Sequence, residues 1–366
     1  MHFRALEKVL VLQTSFLGDT LLSLPLLSEI KRRFPQTKLS LLCSPMGKEL
    51  LQDHPGIDEI IVDDKRGADK GWRGMWRKAE ELRAMGFGTA LSPHKSLRSA
   101  LLLWLAAIPC RVGFKQSKGW FFFHQRVKRD AGRHDVERNL SVLQAFGIKP
   151  EDCDRDLTLP VNDAARQSVD RLLRSLDVSL DKVIVGVNAG SVWPTKRWTA
   201  EGFARVIDLI KQKYDCDVLL FGGPEDAEIN SKIQERCGAA AVNLAGKLSL
   251  RELAAAVSLC KVFITNDSGP MHVAVACHVA TVAIFCATIP ALGFYPYSSK
   301  AIVVEKRLSC RPCGSHGGRR CPLGTEDCMR LISPEDVLKA AEKFLLDRQN
   351  GEAGGRSRYE PEIVTV

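Results

Sequence analysis

The chain has 366 residues, 45% of them hydrophobic and 26% charged, an ordinary balance for a globular protein with length for two domains. Its longest apolar runs, such as Ala100 to Pro109, are too short to cross a bilayer, and Met1 to Lys8 lacks an apolar stretch before a small-residue cleavage site, so a cytoplasmic protein is expected. The formal net charge of +9, from 52 Lys and Arg against 43 Asp and Glu, favours anionic partners such as phosphorylated sugars or an anionic membrane; no nucleic-acid motif accompanies it.

Along the chain, strand-type and helix-type segments alternate. Val9-Leu10-Val11-Leu12 is a continuous apolar run and predicts a buried parallel strand. Gln13 to Gly18 predicts a loop, and Asp19 to Arg33 a helix. Leu39 to Leu42, Ile60 to Val62 and Thr89 to Leu91 predict further strands, with helices over Trp76 to Met85 and Ser96 to Ala107. Cys153 to Val161 reads as an interdomain connection and Asp163 to Leu176 as a helix. A second set opens with strand Val183 to Val187, helix Thr199 to Lys213 and strand Val218 to Phe221. The turn Gly222-Gly223-Pro224 leads into a helix, and Ser249 with Glu252 forms a capping box that opens another. Strands follow at Leu259 to Ile264 and Val282 to Phe285, and Ser333-Pro334 caps a last helix to Leu346. Two βα sets in tandem predict two facing Rossmann-like domains with a cleft between them. Their expected bounds are residues 1–160 and 161–348, with the last helix packing back on the first domain. The Gly-rich, charged tail 349–366 is expected to be disordered.

Three loops carry chemistry. Thr14-Ser15-Phe16-Leu17-Gly18-Asp19 follows the first strand. Asp19 fits either a helix N-cap or a carboxylate acting as general base. Asn188 to Trp198 opens the second set with a Gly190-Ser191 turn and Lys196-Arg197, a pattern suited to a diphosphate or to a solvated surface loop. Thr265 to His272 joins a strand to a helix through Asp267-Ser268-Gly269. That is where an α/β sheet binds ligands, although a capped helix with a core histidine has the same pattern. G-x-G-x-x-G and G-x-x-x-x-G-K-[ST] are both absent, which excludes the dinucleotide fingerprint and the P-loop.

Together these loops give the chain a resemblance to the lipopolysaccharide heptosyltransferases, the ADP-heptose-dependent glycosyltransferase family 9 with a GT-B fold. The residues that carry it are Ser15 to Asp19 with Leu22 and Pro25, Lys196-Arg197-Trp198 after the Gly-Ser turn, Asp267-Ser268-Gly269 with His272, and His134-Asp135-Val136-Glu137-Arg138. Their order and spacing agree with that family over roughly residues 8 to 345. The resemblance implies an inverting transferase in which Asp19 deprotonates the acceptor. It implies a donor site of Ser191, Lys196, Asp267, Ser268, Gly269 and His272, with Leu248 beside the adenine and Glu225 toward the ribose. No D-x-D motif is present, and no cofactor is expected in catalysis, since fixed cations and helix amides suffice for a leaving diphosphate.

The first domain is expected to take an acidic, lipid-linked core oligosaccharide at the cytoplasmic face of the inner membrane. Ser15, His94, Lys95, Arg98, Arg126 and His134 are its candidate contacts. Cations interleaved with Trp72, Trp76 and Trp120 to Phe123 suit phosphates at headgroup level, while a buried Phe121 to Phe123 within a solvated basic face is the competing reading. Of the 12 cysteines, eight are scattered small hydrophobes. Cys310, Cys313, Cys321 and Cys328 have the spacing of a four-thiolate site for structural zinc or iron, or are four free thiols. Rival functions are transfer of another sugar or to another core position, a non-catalytic nucleotide-sugar or glycan-binding protein, and a UDP-sugar epimerase.

Overall fold

The computed structural model describes residues 6–238, 241–346 and 358–366. The chain forms two units that divide between Leu157 and Thr158. In the first unit the strands are β1 (Lys8–Gln13), β2 (Lys38–Cys43), β3 (Glu59–Val62), β4 (Thr89–Ser92), β5 (Cys110–Phe114) and β6 (Gln125–Val127). The helices are α1 (Leu17–Leu21), α2 (Leu24–Arg33), α3 (Pro45–Leu51), α4 (Gly71–Ala84), α5 (Leu97–Leu105) and α6 (Asp135–Leu140). The strands form one parallel sheet in the order β3-β2-β1-β4-β5-β6.

The second unit repeats this plan. Its strands are β7 (Val183–Asn188), β8 (Cys216–Phe221), β9 (Val242–Asn243), β10 (Val262–Asn266), β11 (Ala280–Phe285), β12 (Ala301–Glu305) and β13 (Glu362–Thr365). Its helices are α7 (Asp163–Ser175), α8 (Ala200–Lys213), α9 (Ala227–Cys237), α10 (Leu250–Ser258), α11 (Gly269–Ala276), α12 (Asp327–Arg330) and α13 (Pro334–Leu345). The parallel order is β13-β12-β11-β10-β7-β8-β9. Each sheet reverses direction once, between β1 and β4 in one unit and between β7 and β10 in the other. Such reversals leave a crevice at the carboxyl ends of the strands.

The strand runs that read as continuous apolar segments are buried: Val9 to Leu12 and Val262 to Ile264 are each at most 1% exposed. Helices cover both faces of each sheet, which is what a parallel sheet requires. Ser249 and Ser333 cap α10 and α13 as their spacing predicts. Each hydroxyl accepts from the amide three residues on, and that residue's carboxylate accepts from the Ser amide.

Four expectations change. The single helix over Asp19 to Arg33 is two helices, because Pro25 lacks an N–H and belongs in a first turn. The last helix packs within its own unit: Val337, Leu338, Ala340 and Ala341 of α13 join the core beneath β10 to β12. The tail expected to be disordered from residue 349 ends instead in β13, paired with β12 from Ile302↔Glu362 to Glu305↔Thr365. Lys343 Nζ lies 2.6 Å from Glu362 and Tyr359 stacks on Tyr297; residues 347–357 lie outside the described chain. The Phe121 to Phe123 run is neither all core nor all surface: Phe123 is buried, Phe122 half-buried and Phe121 exposed.

Gly186 shows why a strand interior takes glycine. It stands opposite Phe263 in the β7–β10 ladder, and a Cβ there would lie 2.4 Å from the Phe263 ring and 2.9 Å from the Cys260 sulfur. Gly186→Ala should therefore cost about 1–3 kcal/mol, the usual penalty for overpacking. Denaturant unfolding with an unchanged midpoint would show that the ring moves aside freely.

Candidate functional site

In the second unit the loops after β7, β8, β9, β10 and β11 all leave the carboxyl edge of the sheet. β7 and β10 end in Asn188 and Asn266, both buried, and these two amides set the geometry. Asn188 Nδ2 donates to Gly190 O (3.1 Å), Thr265 Oγ1 (3.2 Å) and Ser268 Oγ (3.2 Å). Asn266 Nδ2 donates to Ala189 O (2.8 Å), and its Oδ1 accepts from the Trp198 amide (2.9 Å). The Gly-Ser turn and the Asp267 turn are thereby held side by side at the strand reversal.

Lys196 and Asp267 meet there. Lys196 Nζ is 2.7 Å from Asp267 Oδ2, with side chains 14% and 8% exposed, and Thr288 Oγ1 donates to the same oxygen at 2.6 Å. His272, on the first turns of α11, is buried beside the pair, and its Nδ1 has no hydrogen-bond partner among the described residues. Burial pushes its pKa down to about 4; Asp267 opposes the shift and Lys196 adds to it. The imidazole is thus neutral at physiological pH, with a polar atom left for a ligand or water to meet. Ser268 is the N-cap residue of α11, and Gly269 its first residue. Ser191 is buried, and its carbonyl accepts from Arg197 Nε at 2.7 Å.

The neighbouring loops differ from expectation in detail. Glu225 is exposed in the Pro224–Asp226 turn, whereas Asp226 is buried. The Asp226 carboxylate accepts from the Gly223 amide (3.1 Å), and a Cβ at Gly190 would lie 2.3 Å from it. Burial raises the Asp226 pKa, and the Gly223 amide opposes that. Asp226, which no sequence motif flagged, is therefore the acid that shapes the Gly-Ser turn. The loop bearing half-buried Leu248 joins the Glu225 turn through Gly246 N–H to Gly222 O (3.1 Å).

The cysteine-bearing segment after β12 is stitched to this site. Arg311, its guanidinium side chain 2% exposed, donates to the Glu305 carboxylate (2.9 Å), to Phe285 O (2.9 Å), and to the carbonyls of Lys306 and Thr288. Cys313 N–H donates to Ala287 O at 2.9 Å. Thr195 Oγ1 donates to Gly318 O (3.0 Å) and accepts from Gly318 N–H (2.7 Å). Gly317, at φ +76, passes so close that a Cβ would lie 2.9 Å from Thr195 Oγ1 and 3.0 Å from the Lys196 chain. The segment thus braces Lys196 on one side and the Thr288 partner of Asp267 on the other.

The four thiols lie within one another's electrostatic reach: after burial, Cys310 and Cys321 raise the Cys313 pKa, and burial, then Cys313, Cys321 and Cys310 against Arg311, raise that of Cys328. Cys310 is exposed, Cys313 and Cys321 are half-buried, and Cys328 is buried. Among the described residues no group of three or more His, Cys, Asp or Glu side chains is arranged to hold a metal ion. Cys328 points into the second unit's core with Met329 and Ile332. The Cys321 sulfur accepts from backbone amides, Glu326 first, which lowers its pKa. As placed, the four thiols neighbour one another without forming a closed ligand set.

In the first unit, cations gather at the carboxyl edge around the loop after β1. Asp19 is half-buried on α1, its Oδ2 accepting from the Phe16 amide at 3.2 Å, so it does cap that helix; Ser15 is half-buried just before it. Lys65, absent from every sequence expectation, donates to Thr14 O at 3.0 Å. Burial lowers the Lys65 pKa, with Asp63 opposing and Arg98 adding. Arg98 donates to Asp63 (2.8 Å) and to Asp69 O (3.0 Å). His94 Nδ1 meets Ser99 Oγ at 3.0 Å, and burial, then Lys65 and Lys95, pushes its pKa down to about 4. Lys95 is itself lowered, first by burial and then by Arg129. His134 is buried, and its Nδ1 accepts from the Val136 amide at 3.2 Å, capping α6. Arg126 sits apart from these, its guanidinium 5.0 Å over the Trp120 ring.

Comparison with known proteins fits this geometry. The sequence pattern of glycosyltransferase family 9 (heptosyltransferase) matches residues 75–321. A lipooligosaccharide heptosyltransferase 2 of Campylobacter jejuni is 28% identical, over 92% of this chain and 98% of its own. The crystal structure of a family 9 glycosyl transferase from Veillonella parvula superposes with a TM-score of 0.85 at 29% identity, covering 94% of this chain and 99% of that one. The ADP-heptose lipopolysaccharide heptosyltransferase II of Escherichia coli does so with a TM-score of 0.76 at 25% identity, covering 93% and 98%.

The buried histidine makes stability depend on pH. Its folded pKa lies below the unfolded value of about 6.5, so below that pH the unfolded chain binds a proton that the folded one refuses. Stability should be flat above pH 6.5 and fall as pH drops toward 4, with His272 contributing about 2 kcal/mol of loss by pH 5. His272→Asn should remove its share of that fall in thermal melts and leave the like share of His94. An equal slope in the variant would mean that the proton goes elsewhere.

Proposed function

This chain belongs to glycosyltransferase family 9, the heptosyltransferases, and we propose on that premise that it transfers L-glycero-D-manno-heptose from ADP-heptose to the lipopolysaccharide inner core. It is a glycosyltransferase of the GT-B fold, and each Rossmann-like unit is one half of that fold. The observation that carries the reading is the Lys196–Asp267 pair at the strand reversal, with Thr288 behind it. A diphosphate laid there meets Lys196 and the amino end of α11. As the bond from the anomeric carbon to the diphosphate oxygen breaks, these groups stabilise the charge that grows on the leaving ADP. The acceptor hydroxyl attacks the opposite face of that carbon and gives its proton to Asp19, so the configuration inverts. Asp267 orients the sugar; Ser191, Ser268, Gly269 and His272 line the phosphates; Leu248 walls the adenine and Glu225 reaches the ribose.

The acceptor belongs to the first unit. Lys65, Lys95, Arg98 and Arg129 gather positive charge there, the two lysines with their pKa lowered first by burial, and an anionic group supplies the countercharge that such buried ammonium groups favour. Ser15, His94, Arg126 and His134 complete the acceptor contacts. The acceptor is an acidic, lipid-linked core oligosaccharide at the cytoplasmic face of the inner membrane. Among the described residues no helix is long and apolar enough to cross a membrane.

Mass spectrometry with ADP-heptose and defined core acceptors tests the whole reading. One added heptose on a Kdo-bearing or heptosylated acceptor is the expected product. Donor binding without product on any acceptor would leave a binding protein, and sugar release without an acceptor would leave an epimerase. Asp19→Asn should keep ADP affinity and lower kcat by about 10²–10⁴, the scale of general-base help; a normal kcat removes Asp19 from that role.

Thr288→Val and Lys196→Ala should both lower kcat/KM for the donor, the first by about tenfold, the scale of one hydrogen bond to a charged group. Equal kcat/KM in either variant would place the donor elsewhere. The spacing of Cys310, Cys313, Cys321 and Cys328 makes metal content worth measuring. About one zinc or iron per chain, lost in Cys313→Ser, would establish a structural site that draws Cys310 inward. No metal in anaerobically purified protein leaves four thiols.

A further inference from the structure

Between Leu82 and Arg129 the chain carries nine Lys and Arg and no Asp or Glu, a surplus as large as the net charge of the whole chain. Arg98, Arg111 and Arg129 are engaged within the fold. Lys115, Lys118, Arg126 and Lys128 are exposed.

The same segment exposes aromatic rings. Leu97, Leu101 and Trp104 share one face of α5 at helical spacing, with Leu97 45% and Trp104 50% exposed. The short Trp120–Phe122 turn packs along α5, tied at its start by Lys118 N–H to Lys95 O at 3.1 Å. Trp104 meets Phe122 (5.5 Å between centroids), Phe122 meets Phe121 (4.4 Å), and Phe121 meets Trp120 (5.9 Å). Arg126 closes the row over Trp120. Trp120 is 47% and Phe121 57% exposed. On the adjacent α4, Trp72 and Trp76 form another exposed pair 6.2 Å apart. Four of the six tryptophans of the chain are therefore on the outside of this unit.

A contiguous exposed patch of large apolar rings marks an interaction surface. Its chemistry selects the occupant. Indole and phenyl rings beside exposed cations suit the layer where lipid headgroups meet acyl chains, and anionic headgroups attract those cations. A second copy of the chain fits poorly, since a two-fold contact would lay the same positive surface against itself.

We propose that the outer face of α5 and the Trp120–Phe122 turn docks on an anionic phospholipid bilayer, with Trp104, Trp120 and Phe121 entering the headgroup layer and Lys118 and Arg126 meeting lipid phosphates. The proposal deepens the lipid-linked acceptor reading but is tested apart from it, on vesicles that contain no acceptor.

The full chain is sedimented with phosphatidylcholine vesicles, with and without phosphatidylglycerol. Binding should need phosphatidylglycerol, weaken with salt, and shift tryptophan emission to the blue. Trp104→Ser combined with Phe121→Ser should lower the partition coefficient about tenfold or more, as loss of interfacial apolar area predicts. Turnover on a soluble, delipidated acceptor should be unchanged, which also shows that the variant is folded. Lys118→Glu should weaken binding to the anionic vesicles while sparing the aromatic row. Failure of the wild type to bind, or equal binding by both variants, overturns the proposal. So does self-association of the wild type that the aromatic variant abolishes, which would make this a protein–protein surface. A wild type that binds vesicles but transfers no heptose sinks the functional reading and leaves the docking face standing.

Discussion

Where a parallel sheet reverses its winding, two adjacent strands send their chains in opposite directions and no crossover covers their carboxyl ends. At that gap, between β1 and β4 and again between β7 and β10, emerge the loop that bears Asp19 and the turns that bring Lys196 and Asp267 together. In the second unit both strands at the gap end in a buried asparagine. Each side chain bonds across to the other strand's loop, Asn188 to Ser268 and Asn266 to Ala189. The crevice is thus a consequence of topology, and its rigidity comes from two amides that satisfy backbone groups a helix would otherwise have covered.

Much of this was legible in the sequence because the strongest local signals are also the most buried. The apolar runs at Val9, Val183, Val218 and Val262 became β1, β7, β8 and β10, and the capping boxes at Ser249 and Ser333 opened the predicted helices. What stayed hidden has weak or displaced signals. β5, with Arg111 inside it, and the two-residue β9 lack a hydrophobic period long enough to read. β13 is a four-residue strand with three β-branched residues, Ile363, Val364 and Thr365, behind a Gly-rich stretch, and its context masked it.

The site divides the same way. Lys196, Asp267 and His272 lie in recognisable turns and come together, whereas Thr288, Asp226 and Lys65 enter from other loops through single contacts that only the folded chain defines. The cysteine spacing was equally visible, yet spacing constrains the backbone and not where a sulfur points. Cys328 found a place in the core, while Cys310 stayed outside.

The two sites also differ in how their charge is balanced. Lys196 already has a carboxylate and a neutral imidazole around it, so a donor phosphate has to compete with Asp267 for the ammonium. A buried pair of this kind adds little net stability, because desolvation offsets most of the attraction. In the proposed reaction its value lies in keeping both side chains placed until charge develops on the leaving group, when the phosphate takes Lys196. The first unit has the opposite arrangement. Lys65 and Lys95 are held below their ordinary pKa first by burial; Asp63 opposes this at Lys65, and Arg129 adds to it at Lys95. The proposed anionic acceptor would supply countercharge to the lysines, while the guanidinium groups of Arg98 and Arg129 keep Asp63 and Asp135. On this reading, the first unit gains binding energy by giving buried ammonium groups a countercharge, while the second reserves its strongest interaction for the transition state, where it lowers the barrier.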